Sequence, residues 1–136
     1  MPLGYITIAE KILSAVKVLF GLKDSLAKAR VERRTRMADL FEKVATCLEE
    51  TAKELRAGSY PGGRCQELLT YAVELPAIVG DELGQAKAEE IGSALKAAHE
   101  VERLYADQGK PEGRENVAKL DEAAGLLRAL GNIVRV

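Results

Sequence analysis

Residues Thr7–Leu22 read TIAEKILSAVKVLFGL. Wound as a helix, this stretch puts Thr7, Glu10, Lys11, Ser14 and Lys17 on one narrow strip. Ile8, Ile12, Leu13, Val16, Val18, Leu19, Phe20 and Leu22 cover most of the remaining circumference. A surface helix needs a single apolar stripe, and this one has more apolar surface than one face can bury. It therefore reads as a helix central to a bundle, or as one destined for a partner or a membrane. Thr7-Ile8-Ala9-Glu10 has the form of a capping box, which places the start near Thr7. At about 1.5 Å per residue the stretch spans roughly 24 Å, short of a hydrocarbon core of about 30 Å.

The rest of the chain has the same helical spacing. Met37, Leu40, Phe41, Val44, Leu48, Thr51, Ala52 and Leu55 recur at intervals of three and four, with Gly58 placed to end that helix. Cys65, Leu68, Leu69, Ala72 and Leu75 form the next apolar row. Pro76 is expected to kink or end that helix, and Gly80 to stop it. Asp81 then caps a fourth row through Leu83, Ala86, Ile91, Ala94, Leu95, Ala98, Val101, Leu104 and Tyr105. DQGKPEG, residues 107–113, reads as a loop. Val117, Leu120, Ala123, Ala124, Leu127 and Leu130 make the last row, which Gly131-Asn132 is expected to terminate. No strict alternation suits a strand, and with 4% aromatics and no Trp the core must be aliphatic. The expectation is a single all-α domain over residues 1–136: an up-and-down bundle of four to five helices led by an apolar amphipathic one. Helices are placed near 7–22, 24–57, 64–79, 81–106 and 114–130. The first two are either continuous or divided, with Gly21 as a break, a kink or a close-packing point.

Net charge is −1 but unevenly spread. Residues 1–36 hold eight basic and three acidic side chains, a balance of +5; the remainder balances at −6. The most apolar helix is thus followed by the most basic stretch, a combination that an anionic membrane surface attracts. The alternative is pairing of these cations with acidic helices of the same chain. The run Arg30–Arg36, RVERRTR, has no interleaved aromatics, so nucleic acid is not the expected partner. No segment holds eighteen uninterrupted apolar residues, and Glu10 and Lys17 interrupt any signal-peptide reading of the first helix.

The residues that carry chemistry are sparse. Cys47, Cys65 and His99 cannot close a zinc site without several carboxylates, and both cysteines read as reduced core or near-core thiols. His99 sits mid-helix at the edge of an apolar row. Tyr60–Cys65 lacks the spacing of a phosphate loop, and the paired acids Glu49-Glu50, Glu89-Glu90 and Asp121-Glu122 have no matching histidine. Neither an enzyme nor a cofactor is expected.

An apolar amphipathic first helix, a basic stretch after it and a small helical bundle without catalytic residues together resemble the HeLo domain of fungal cell-death proteins. The layout is also similar to the proposed bacterial analogue of that domain, the Bell domain, and to the four-helix bundle of the mixed-lineage-kinase-like necroptosis effector. The resemblance is one of layout and covers the whole chain. It implies a membrane-targeting, pore-forming effector of a regulated cell-death or defence system. Such a protein is cytoplasmic until activated, then moves to an anionic membrane as a homo-oligomer under a regulatory protein or signalling motif. Carried onto this sequence, the membrane-interacting residues are Ile8, Ile12, Leu13, Val16, Leu19 and Phe20, with Lys23, Lys28, Arg30, Arg33, Arg34 and Arg36 as the basic stretch. No signalling motif is evident, which an effector domain cut from a larger protein would explain. The competing expectations are a soluble helical adaptor resembling a death-fold module, and a structural dimer that buries Thr7–Leu22 at its interface.

Overall fold

A computed structural model describes residues 8–59, 62–96 and 111–135. Six helices run through them, and no strand occurs among them: α1 (Ile8–Gly21), α2 (Lys23–Ala27), α3 (Val31–Arg56), α4 (Gly62–Leu83), α5 (Gln85–Lys96) and α6 (Pro111–Arg135). The all-α bundle expected from the sequence is what forms.

Several boundaries differ, each for a local reason. Gly21 is the last residue of α1, and a Cβ built on it meets nothing within 4 Å, so it is not a close-packing point. The long helix expected over 24–57 is interrupted. Lys28 and Ala29 close tight turns on Ser25 and Leu26, and Arg30 is extended (φ −61°, ψ 152°) before α3 begins. Nothing in Lys28-Ala29-Arg30 resists helix, and Leu26 just before the turn is fully buried. α3 ends as expected. Gly58 takes φ +83°, Ser59 N–H donates to Glu54 O at 2.9 Å and Gly58 N–H to Leu55 O at 3.2 Å, the bond pattern of a Schellman motif.

α4 does not stop at Pro76 or Gly80. It continues to Leu83, because buried Leu75 and Val79 hold both sides of the proline in the core. Asp81 lies inside α4 rather than capping α5. The joint is Gly84, whose φ of +88° is a conformation that side-chain-bearing residues avoid. α6 starts at Pro111, three residues before the expected position, where a proline's missing N–H leaves no bond unmade. It also runs through Gly131-Asn132 to Arg135, and Val134 in the expected tail is fully buried.

α6 packs against α1, α2 and α3; α3 against α4; and α5 bridges α4 and α1. Leu40, Phe41, Val44, Leu48, Leu75, Leu120 and Leu127 are buried as the periodicity requires. The side chains of Cys65, Leu68, Leu69 and Leu95, also assigned to apolar rows, lie outside what is described, as do Val101 and His99 altogether.

The α3–α6 pair is the best-defined packing in the bundle. Arg56 pairs with Asp121, Glu49 with Arg128, and Glu42 and Asp39 with Arg135. Each rung steps seven residues down α3 and seven up α6, so the two helices run antiparallel with a sustained heptad register. Between the rungs Ala38, Ala45 and Ala52 form a small-residue seam on α3, fully buried, and Ala124 and Gly131 one on α6. Small side chains at that spacing let the two backbones approach closely.

Candidate functional site

The apolar face assigned to membrane contact is turned inward. Ile12 and Leu19 are fully buried, Leu13 and Val16 nearly so, and Ala9 and Ala15 join them in the core. Val18, Phe20 and Leu22 are half-buried. The side chain of Ile8 is outside the described residues. The exposed strip of α1 is Lys11, Ser14 and Lys17, as the helical winding requires. A helix with this much apolar surface is satisfied within one chain because α6 and α5 both lie against it. The large hydrophobic side chains exposed among the described residues are Val31, Val73 and Ile133, none of them on α1.

Two ion pairs join α1 to α6. Lys119 Nζ lies 2.5 Å from Glu10 Oε1, and Lys17 Nζ lies 3.7 Å from Glu122 Oε2. All four side chains keep contact with water, so these pairs contribute modestly, and hydrophobic burial holds the helix in place.

The basic residues differ in their surroundings. Lys23 folds back so that its Nζ stands 5.1 Å from the centroid of the Phe20 ring, a cation–π arrangement at the end of α1. Lys28, Arg30 and Arg36 are exposed. Arg34 is half-buried. Arg33 reaches across to α4, where its Nη2 donates to the Ile78 carbonyl at 2.8 Å and its Nη1 lies 3.5 Å from Asp81 Oδ2. Both readings of the stretch thus have residues: Arg33 pairs within the chain, and Lys28, Arg30 and Arg36 face solvent.

A polar groove of about 460 Å³ opens between α3, α4 and α6, lined by Asp39, Glu42, Lys43, Thr46, Cys47, Glu50, Glu67, Tyr71 and Arg128. Cys47 is buried in the core, as expected. Arg128 donates to Glu49 and, at 3.1 Å, to Thr46 Oγ1. Its hydrogen bond to Glu49, outweighing partial desolvation, raises its pKa. Among the described residues no three His, Cys, Asp or Glu side chains are placed to hold a metal ion. None of the described helices is long and apolar enough to cross a membrane.

Sequence reading missed the residues that tie the helices together: Arg56, Arg128 and Arg135 with their acidic partners, and Lys119 with Glu10. The signal was present as opposite charges recurring every seven residues at 42, 49 and 56 and at 121, 128 and 135. Compared with protein-family models, curated proteins and solved structures, the chain matches none.

Proposed function

We propose that the protein is a membrane-permeabilising effector whose N-terminal helix is sequestered at rest and acts once released. The observation that carries this reading is the placement of α1. It is the most apolar of the described helices, its apolar face is covered by α5 and α6, and the exposed cations Lys28, Arg30 and Arg36 follow seven, nine and fifteen residues after its end. An exposed apolar helix would aggregate, so a resting state that hides it is required. Apolar insertion or cationic attraction alone anchors weakly, and the two together anchor stably. Activation is a shift from packed to released α1, and homo-oligomers of the released form permeabilise the anionic membrane. The layout shared with HeLo and Bell domains supports the same assignment to cell death or defence, with the cytoplasm as the resting location.

The test is dye leakage from anionic vesicles by protein oligomerised through a fused tag. Leakage is expected, falling with salt. Replacing Lys28, Arg30 and Arg36 with Gln should weaken vesicle binding about a hundredfold, at about 1 kcal/mol per cation. A reducible cross-link between Glu10→Cys and Lys119→Cys, in a Cys47→Ala, Cys65→Ser background, should block leakage until it is reduced. Folded, oligomerised wild type that neither binds nor permeabilises such vesicles would replace this reading with the soluble adaptor.

A further inference from the structure

We infer that Arg33 is a latch that keeps α5 over α1, and that an anionic surface opens it by competing for the same guanidinium. The inference rests on the membrane reading above and adds its regulation.

Two partners of Arg33, the Ile78 carbonyl and Asp81, lie in the part of α4 beyond Pro76. Pro76 has no N–H to give the Ala72 carbonyl, so the helix ladder is weakened where the second half of α4 joins the first. That second half leads through the single residue Gly84 into α5, and α5 packs on α1. Arg33 therefore grips the one part of α4 that carries the cover of α1, from across the bundle and past the weak point.

The same residue sits inside the basic stretch. Arg30 and Arg36 on either side of it are exposed, a recess of about 100 Å³ is lined by Arg33, Arg36, Ala77 and Ile78, and the Arg33 side chain is itself 32% exposed. Its acidic partner is a poor competitor: the Asp81 side chain is 83% exposed, and the pair is 3.5 Å apart. A guanidinium pairs with phosphate in a bidentate geometry that a loosely held carboxylate does not match. When Arg30 and Arg36 bring the stretch to a surface dense in lipid phosphates, Arg33 exchanges partners. The second half of α4 is then released, and α5 with it.

Hydrogen exchange tests this in the full chain. Arg33→Gln should speed amide exchange at least tenfold across 85–96 and in α1, leaving the α3–α6 pair unchanged. Asp81→Asn should give a smaller change in the same segments. Arg36→Gln removes the same charge but neither the hydrogen bond to the Ile78 carbonyl nor the ion pair with Asp81, and should give none. Wild type on phosphatidylserine vesicles should reproduce the Arg33→Gln pattern, and on phosphatidylcholine vesicles it should not. In the leakage assay the two arginine variants should move oppositely, Arg33→Gln up and Arg36→Gln down. Equal exchange in 85–96 for Arg33→Gln and Arg36→Gln would overturn the latch. If Arg33→Gln loosens α3 and α6 as well, Asp81→Asn decides, and unchanged exchange there overturns it. Faster exchange in Arg33→Gln and Asp81→Asn, but not in Arg36→Gln, with no vesicle response in any protein would support the latch and overturn the membrane as its opener.

Discussion

Gly131 of α6 rests on the backbone of Ala38 in α3: a Cβ added to Gly131 would lie 3.5 Å from the Ala38 carbonyl oxygen and 3.9 Å from its Cα. α6 runs on past this contact to Arg135, with Val134 fully buried beyond it. Replacing Gly131 by Ala adds a methyl at ordinary contact distance and removes a helix-interior glycine, so stability should rise by about 0.5–1 kcal/mol. Gly131→Leu should force the helices apart and cost about 1–3 kcal/mol. Urea titration of both variants checks the pair, and a stabilising Leu would disprove the close approach.

Leu48 is fully buried on the face of α3 that forms the core. Leu48→Ala should lose about 2–5 kcal/mol, the range for a buried leucine whose site cannot collapse. A loss below about 0.5 kcal/mol in the same titration would place Leu48 off the packed face.

The rung between Arg128 and Glu49 is half-exposed on both sides. Glu49→Gln should therefore cost no more than about 1 kcal/mol, as measured for exposed pairs. It should also reduce the dependence of stability on salt, because one screened attraction is gone. Comparing urea midpoints at low and high salt separates this from a packing defect, which salt would not change.

Cys47 lines the polar groove yet is only 2% exposed. In a Cys65→Ser background its thiol should react with a disulfide reagent at the rate of local opening, independent of reagent concentration at saturation, and quickly in urea. Immediate reaction in native buffer would mean that the groove reaches the sulfur.

Leu13→Glu would place a carboxylate in the core, since Leu13 is 7% exposed and faces inward. It should unfold the bundle at moderate urea or at once, as an unpaired buried charge does. Circular dichroism checks this. Lys11→Glu on the exposed strip should leave the thermal midpoint within a few degrees while still reducing binding to anionic vesicles.

What the sequence determined by itself is the class of structure and most of the core. Leu40, Phe41, Val44, Leu48, Leu120 and Leu127 recur at helical spacing, and burial of that face follows from the hydrophobic effect acting on a local pattern. Gly58 was legible for the same reason, because only glycine enters its φ of +83° without strain. The tertiary structure alone decided the turn at Lys28–Arg30, the passage of α4 through Pro76 and of α6 through Gly131, and the partner of α1. Each of these sets a weak local preference against contacts distant in sequence, such as Arg33 with Ile78, Glu10 with Lys119 and Gly131 with Ala38. A helix-breaking residue costs a few kcal/mol at most, and a face buried on a neighbouring helix outweighs that cost. Local spacing shows which side of α1 is apolar, but only the assembled bundle shows that α5 and α6 cover it.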